Sequence, residues 1–165
     1  MMNSISRERE MYIPVAHWLE SFLQARHRSR AIRAFDTSAV QLYRWIEQQG
    51  LQKDFPEYLA YDVRVDVTAI VQEAHRARLA FVECKLHAVT LRDVSQILGY
   101  CRVARPQSAW IVSPRGISTH LAYLLRTYHR FDVLEYTPSR PIRIATWNHS
   151  RREIEAASVL PPGPL

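Results

Sequence analysis

The chain has 165 residues, a length that suits one domain with a sizeable buried core. Hydrophobic residues make up 47% and only four residues are glycine, which excludes a fibrous or largely disordered protein. The net charge of +6 favours a polyanionic partner. No apolar run reaches the ~20 residues that span a bilayer, and the N-terminus lacks the apolar stretch of a secretory signal. We therefore expect a cytoplasmic protein with no membrane partner.

The first part of the chain predicts two helices joined by a basic connection. Residues 8–24 carry apolar side chains at helical spacing and predict the first helix. Residues 38–49 predict a second helix, which Gly50 ends. The connection, residues 26–33, is either a solvated face or a surface that contacts nucleic-acid phosphates. Its four arginines are Arg26, Arg28, Arg30 and Arg33.

The sequence period changes to that of a strand after residue 60. Valine or alanine occupies every second position from Val63 to Val71, so residues 61–71 predict a half-buried strand. Residues 72–77 are polar enough for a turn, and residues 78–86 are a short apolar run typical of a strand. These two strands are predicted to pair as a hairpin.

The remaining elements alternate helix and strand. A helix is predicted from Val89 or Thr90 to Ala104, with Thr90 or Asp93 serving its amino end. Residues 109–113 predict a buried strand, 117–128 a helix, and 131–136 and 142–147 two final strands. This order predicts one α/β domain over residues 1–160, followed by a disordered tail at 161–165. The apolar surroundings of the four tryptophans favour core packing over base stacking: Trp18, Trp45, Trp110 and Trp147.

Lysine is scarce in this basic chain, since only Lys53 and Lys85 of the 22 basic residues are lysine. A nucleotide-composition bias that converts surface lysine to arginine explains the scarcity. The lysines that remain deserve notice, because arginine cannot replace a lysine whose compact ammonium or adjustable pKa is required. Lys53 lies in a polar stretch and is expected at the surface, whereas Lys85 ends an apolar run.

Glu83 and Lys85 lie two residues apart in a predicted strand, so their side chains share a face while Cys84 points to the other. A mutual salt bridge is the simplest explanation for the two charges. The hairpin, however, would also bring Asp66 near Glu83, where both carboxylates could share a divalent cation such as Mg²⁺. Such an ion activates water and polarises a phosphoryl oxygen, and Lys85 would stabilise the developing negative charge. The product would be a cut phosphodiester.

Asp66, followed by Glu83 and Lys85, resembles the D...(D/E)xK signature of the PD-(D/E)XK nuclease superfamily. A second motif follows in the order that the family requires. The segment from Gln96 to Tyr100, with sequence QILGY, resembles the QxxxY motif that RecB-like and phage exonuclease members carry on the helix after the lysine strand. Gln96 and Tyr100 are four residues apart and therefore share a helix face.

The resemblance implies a restriction-endonuclease-like αβββαβ core, with a mixed central sheet flanked by helices. It implies an Mg²⁺ site, with Mn²⁺ as a substitute ion, formed by Asp66, Glu83 and an acidic residue of the first helix. Glu10 is the best match for that acid and Glu20 the fallback. The resemblance also assigns catalytic roles to Asp66, Glu83, Lys85, Gln96 and Tyr100.

Several positions stay open at this point. Val65 stands where the family has a proline before the aspartate. Asp62 competes with Asp66 for the metal, and we prefer Asp66 because Asp62 lies nearer the start of the strand. His87 shares the strand parity of Lys85 and either assists catalysis or faces solvent. The first core strand of the family is expected around residues 55–63.

The function implied by the resemblance is that of an Mg²⁺-dependent deoxyribonuclease, a hydrolase acting in repair, recombination or defence against foreign DNA. The alternative is a catalytically inactive, nuclease-like subunit that binds DNA or regulates a partner. A third hypothesis is an unrelated α/β protein in which Glu83 and Lys85 merely pair. RNA stays open as a substrate. A homodimer would help a single-site enzyme to cut both strands, and a larger nuclease complex is the other expected setting.

Overall fold

A computed structural model of the protein describes residues 7–27 and 31–164. Seven strands form one sheet: β1 (Ala31–Asp36), β2 (Val67–Gln72), β3 (Ala77–Cys84), β4 (Ser108–Ser113), β5 (Glu135–Thr137), β6 (Arg140–Asn148) and β7 (Glu153–Ile154). The α-helices are α1 (Arg9–Arg26), α2 (Leu42–Gln48), α3 (Leu91–Ala104) and α4 (Thr119–Ala122), the last continuing as a π-helical turn over Tyr123–Thr127. Within the described ranges, none of the helices is long and apolar enough to cross a membrane.

The sheet is mixed. Strands β1, β2 and β3 form an antiparallel meander, which contains the predicted hairpin of β2 and β3. Helix α3 then connects β3 to β4. Strand β4 pairs with β3 in parallel, and β6 pairs with β4 in parallel. The order across the sheet is β1-β2-β3-β4-β6-β5, with β7 paired to β6. The predicted mixed sheet flanked by helices is confirmed, and it is compatible with a restriction-endonuclease-like fold.

Two apolar cores cover the two faces of the sheet. Helix α1 packs on one face, and helices α2, α3 and α4 pack on the other. Strand β3 shows the alternation directly, because Leu79 and Phe81 belong to the second core whereas Ala80 and Val82 belong to the first. The predicted core packing is confirmed for three tryptophans that are at most 4% exposed: Trp45, Trp110 and Trp147.

Residues 61–66 form neither a strand nor a helix, so the prediction of a strand from residue 61 is wrong as far as Asp66, and β2 begins at Val67. Buried and exposed residues do alternate over this stretch, but its backbone forms hydrogen bonds with α2 and not with a neighbouring strand. The carbonyl groups of Tyr61 and Val63 accept hydrogen bonds from the backbone amides of Tyr43 and Leu42 at the start of α2. The segment therefore serves the amino end of a helix, whose first amides have no partner within the helix.

The first core strand is β1, so the expectation of a strand around residues 55–63 is wrong; a 3₁₀ helix forms at Tyr58–Ala60 instead. Strand β1 begins inside the predicted basic connection. It lies at the edge of the sheet and buries only Ile32 fully, which leaves a weak apolar pattern. The predicted strand at 131–136 is also shorter, because Phe131–Leu134 is a 3₁₀ helix.

Helix α3 begins with a capping box, as the sequence predicts for its amino end. Asp93 Oδ2 accepts hydrogen bonds of 2.8 Å from both the backbone amide and the hydroxyl of Thr90. The same oxygen lies 3.0 Å from Nε2 of His87. This carboxylate therefore joins the start of α3 to the segment that follows Lys85, and His87, with a side chain 56% exposed, takes part in that contact.

Replacing Asp93 by alanine should lower the free energy of unfolding by about 1–2 kcal/mol, because the Thr90 amide loses its partner at a helix start. Urea denaturation followed by circular dichroism measures the change. Asp132→Ala is the matched control: it removes an exposed ion pair with Arg130, which should matter far less. Similar losses in the two variants would contradict a stabilising role for the capping box.

Candidate active site

Asp66 and Glu83 meet at one end of the β2–β3 hairpin. Val67 pairs with Val82 in the antiparallel register, so the next residues outward, Asp66 and Glu83, fall opposite each other. Asp66 Oδ2 accepts a hydrogen bond of 2.8 Å from the backbone amide of Cys84, which holds this carboxylate beside β3. The hairpin thus brings together the two acids for which the sequence predicts a shared cation.

Lys85 follows the last residue of β3 and pairs with Glu83. Its Nζ lies 2.9 Å from Glu83 Oε1, and the two side chains are only 12% and 5% exposed. The Lys85 amide donates to the carbonyl oxygen of Val112 in β4, which holds the backbone in place. The ion pair uses one carboxylate oxygen only, because Glu83 Oε2 is buried and has no hydrogen-bond partner among the described residues. An unpartnered buried oxygen is costly, so pairing with Lys85 does not by itself explain the site.

The electrostatics of the site oppose two ionised carboxylates. Burial raises the pKa of Glu83 to about 7, and the charge of Asp66 adds to the rise. Burial also raises the pKa of Asp66, to about 6, although the hydrogen bond from Cys84 acts in the opposite direction. Burial alone would lower the pKa of Lys85, but the surrounding carboxylates outweigh it and raise that pKa. A charged lysine therefore sits beside two carboxyl groups that a second cation would help to ionise.

Helix α1 places an additional acid, Glu8, near this pair. The negative charge of Glu8 raises the pKa of both Asp66 and Glu83. The Tyr12 hydroxyl donates to Glu8 Oε1 at 3.3 Å and also acts to lower the pKa of Asp66, so it lies near both acids. Glu8 directly precedes α1 and lies three residues before Met11, so it is on the side of the helix that carries the buried stripe. That register is the signal in the sequence that would identify it.

The two acids of α1 named from the sequence lie elsewhere. Glu10 is exposed and follows Glu8 by two residues, which turns it ~200° around the helix. Glu20 accepts a hydrogen bond of 2.9 Å from the backbone amide of Ala34, so its carboxylate joins α1 to β1. Asp62, the rival of Asp66, is exposed, and its charge acts on Arg44 of α2. Of the acids considered from the sequence, Asp66 is the one beside Glu83.

Gln96 and Tyr100 share a face of α3, as predicted, and bond to each other. Gln96 Nε2 donates to the Tyr100 hydroxyl oxygen at 3.0 Å. In the part of the chain that the structure describes, no hydrogen bond or ion pair links this couple to Asp66, Glu83 or Lys85. A catalytic role for Gln96 and Tyr100 stays a prediction.

One of the predicted phosphate-contacting arginines, Arg26, lies far from the carboxylates. Arg26 ends α1, where its Nη1 donates to the carbonyl oxygen of Phe22 at 3.0 Å. At 1.5 Å per residue, the helix separates Arg26 from Glu8 by ~27 Å. Arg33 is exposed on edge strand β1. Arg28 and Arg30 lie outside the described residues.

The donor set of the site suits Mg²⁺. No three His, Cys, Asp or Glu side chains among residues 7–27 and 31–164 are grouped so as to hold a metal ion. Mg²⁺, however, is often bound by one or two carboxylates while it keeps several waters. Asp66 and Glu83 provide that number, and the unpartnered Glu83 Oε2 is a hard oxygen donor of the kind that this ion prefers.

Comparison with known proteins gives a distant structural similarity. No protein-family model and no curated protein sequence matches the chain. Among solved structures, the chain is similar to the MspJI restriction endonuclease in complex with a 27-mer oligonucleotide, with 9% sequence identity and a TM-score of 0.42. The similarity covers 84% of this chain, which spans only 26% of the length of that one. The function therefore has to be argued from the site itself.

Proposed function

We propose that the protein is an Mg²⁺-dependent nuclease that hydrolyses DNA phosphodiester bonds and accepts Mn²⁺ as a substitute ion. The observation that carries the proposal is the buried Oε2 of Glu83, which has no hydrogen-bond partner in the described part of the chain and belongs to a carboxylate opposite Asp66. A divalent cation held by Asp66 and Glu83 would satisfy this oxygen and relieve the repulsion between the two acids. Glu8 would add a third negative charge on the side of α1.

The residues around the pair have distinct tasks in this function. The Cys84 amide holds the Asp66 carboxylate beside β3. The Lys85 ammonium, oriented by Glu83, donates hydrogen bonds to the negative charge that develops on the phosphoryl oxygens. When bound, Mg²⁺ polarises the scissile phosphate and lowers the pKa of water. The net charge of +6 favours approach of the DNA backbone to this acidic centre.

A cleavage assay on linear, supercoiled, nicked and branched DNA tests the proposal. Wild type with Mg²⁺ or Mn²⁺ should cut at least one of these substrates, and removal of the metal by EDTA should stop the reaction. Matched RNA substrates test the choice of sugar. A protein that binds DNA but cuts nothing with either metal would contradict the proposal and favour an inactive DNA-binding or regulatory subunit.

The charge of Glu8 gives a prediction about metal affinity. Glu8→Gln should raise the Mg²⁺ concentration needed for half-maximal cleavage by roughly tenfold, because a neighbour of the metal ligands loses its negative charge. Mg²⁺ titrations of the initial cleavage rate measure the shift. Glu10→Gln makes the same charge change on the opposite side of α1 and should have little effect. An equal shift in both variants would show that only the net charge matters.

A further inference from the structure

A cavity of about 360 Å³ lies at the other end of the sheet from the candidate active site. It opens at the amino ends of the parallel strands, and its wall includes Arg78 of β3, Ser108 of β4 and Arg143 of β6. The carboxyl end of α1 closes one side through Arg26. Glu83 follows Arg78 by five residues along β3, a separation of ~17 Å at ~3.3 Å per residue. The cavity is therefore distinct from the site of Asp66, Glu83 and Lys85.

The wall of this cavity is cationic. Arg26, Arg140 and Arg143 contribute guanidinium groups, and no carboxylate among the described residues lines it. Arg78 is also present, but it pairs with Glu73 at 3.0 Å. Burial, together with the charge of Arg143, lowers the pKa of Arg26, so these two guanidinium groups repel each other. Positive charges gathered in one cavity create a positive electrostatic potential, which a bound anion would neutralise.

Residues that line the same cavity also carry hydrogen-bond donors without partners among the described residues. Arg78 Nε is buried and makes only the ionic contact with Glu73. Four other lining residues each have a buried side-chain atom with no hydrogen-bond partner in the part of the chain that the structure describes: Gln107 Nε2, Ser108 Oγ, Trp110 Nε1 and Arg143 Nη1. Buried polar groups are seldom left unsatisfied in folded proteins. All four can donate, which matches a ligand that only accepts.

Aromatic packing holds the cationic groups in position. The Arg26 Cζ lies 3.6 Å from the centroid of the Phe22 ring, and the centroids of Phe22 and Trp110 are 5.3 Å apart. The Arg143 Cζ lies 5.8 Å from the Trp110 ring. Arg143 Nη2 also donates to the carbonyl oxygen of Pro164 at 2.8 Å. The other terminal nitrogen of this guanidinium group, Nη1, has no hydrogen-bond partner among the described residues. Groups ordered in advance lose less conformational entropy when a ligand binds.

We infer that this cavity is a second ligand site, which binds a phosphate group through Arg26, Arg143 and the unpartnered donors around them. Guanidinium groups match phosphate oxygens in charge and geometry, and they bind them in pairs of parallel hydrogen bonds. The phosphate belongs either to a small nucleotide or to a nucleic-acid strand, and both present the same group to the wall. The inference does not depend on nuclease activity, because it uses none of the residues of the candidate active site.

Isothermal titration with inorganic phosphate at constant ionic strength tests the site. Wild type should bind one phosphate per chain, and Arg26→Gln and Arg143→Gln should each weaken binding at least roughly tenfold. Arg102→Gln, which removes an exposed charge from α3, should bind like wild type, and so should Lys85→Ala. Equal affinities of Arg143→Gln and Arg102→Gln, or loss of binding in Lys85→Ala alone, would overturn the inference.

Adenosine monophosphate and a short single-stranded oligonucleotide separate the two sources of the phosphate. Tighter binding of the nucleotide than of inorganic phosphate supports a small ligand, and tighter binding of the oligonucleotide supports a strand, provided that Arg143→Gln weakens it. A measurement of thermal unfolding tests the site with wild type alone. The melting temperature should be higher in phosphate than in chloride at the same ionic strength. The absence of such a rise, with no binding of any of the three probes, would refute the site.

Discussion

Lys85→Ala is expected to lower the rate of DNA cleavage by roughly 100- to 1000-fold, the usual effect of removing one donor that stabilises charge in a transition state. The Lys85 ammonium is ordered by its contact with Glu83, and its side chain is only 12% exposed. Water cannot readily replace a donor held in this way. Initial rates on the best DNA substrate, at saturating Mg²⁺, measure the loss.

Two further variants separate chemistry from folding. Lys85→Ala leaves Glu83 in a buried site without its cation, which by itself destabilises a protein. Lys85→Arg keeps the positive charge and the ion pair, but it replaces a compact ammonium by a planar fork and should still cut at least roughly tenfold more slowly. Lys53→Ala removes the other lysine, which is exposed, and should leave the rate unchanged. If both Lys85→Arg and Lys85→Ala fold and cut DNA as fast as wild type, Lys85 has no role in catalysis.

The parts of the site that the sequence predicts are those set by local geometry. Strand alternation alone puts Glu83 and Lys85 on one side and Cys84 on the other, because successive side chains in a strand point to opposite faces. The polar turn between two apolar runs predicts the hairpin, and the hairpin register places Asp66 opposite Glu83. The capping residues predict the start of α3 in the same way, since Thr90 and Asp93 act within one turn.

The parts that the sequence does not predict depend on contacts between distant segments. Glu8 and Glu10 differ by two positions, and the apolar stripe of α1 indicates only that Glu8 is on the buried side. The packing of α1 on the sheet is what brings Glu8 near Asp66. Strand β1 draws its stability from pairing with β2 rather than from an apolar pattern of its own. The cationic cavity joins residues of α1, β3, β4 and β6, so no single segment carries its signature.

The raised pKa values of the two acids predict that the metal-free protein loses stability as pH rises from about 5 to 8. Burial favours the protonated carboxyls, so in this range the folded state binds more protons than the unfolded state, and the free energy of unfolding falls as those protons leave. Glu83 should account for a decrease in the free energy of unfolding on the order of 1–3 kcal/mol. Urea denaturation at pH 5 and pH 8, both in EDTA, measures it.

Glu83→Gln cannot ionise and should show a smaller decrease in stability between pH 5 and 8, whereas Glu57→Gln, an exposed control, should follow wild type. Mg²⁺ at ten times its dissociation constant should restore about 1.4 kcal/mol to wild type at pH 8, because it binds only the folded site. It should restore little to Glu83→Gln, which has lost a ligand. Equal stabilisation of both proteins would place the ion elsewhere. The expected difference would connect the raised pKa values of the carboxylate pair to the ion that the proposed reaction needs.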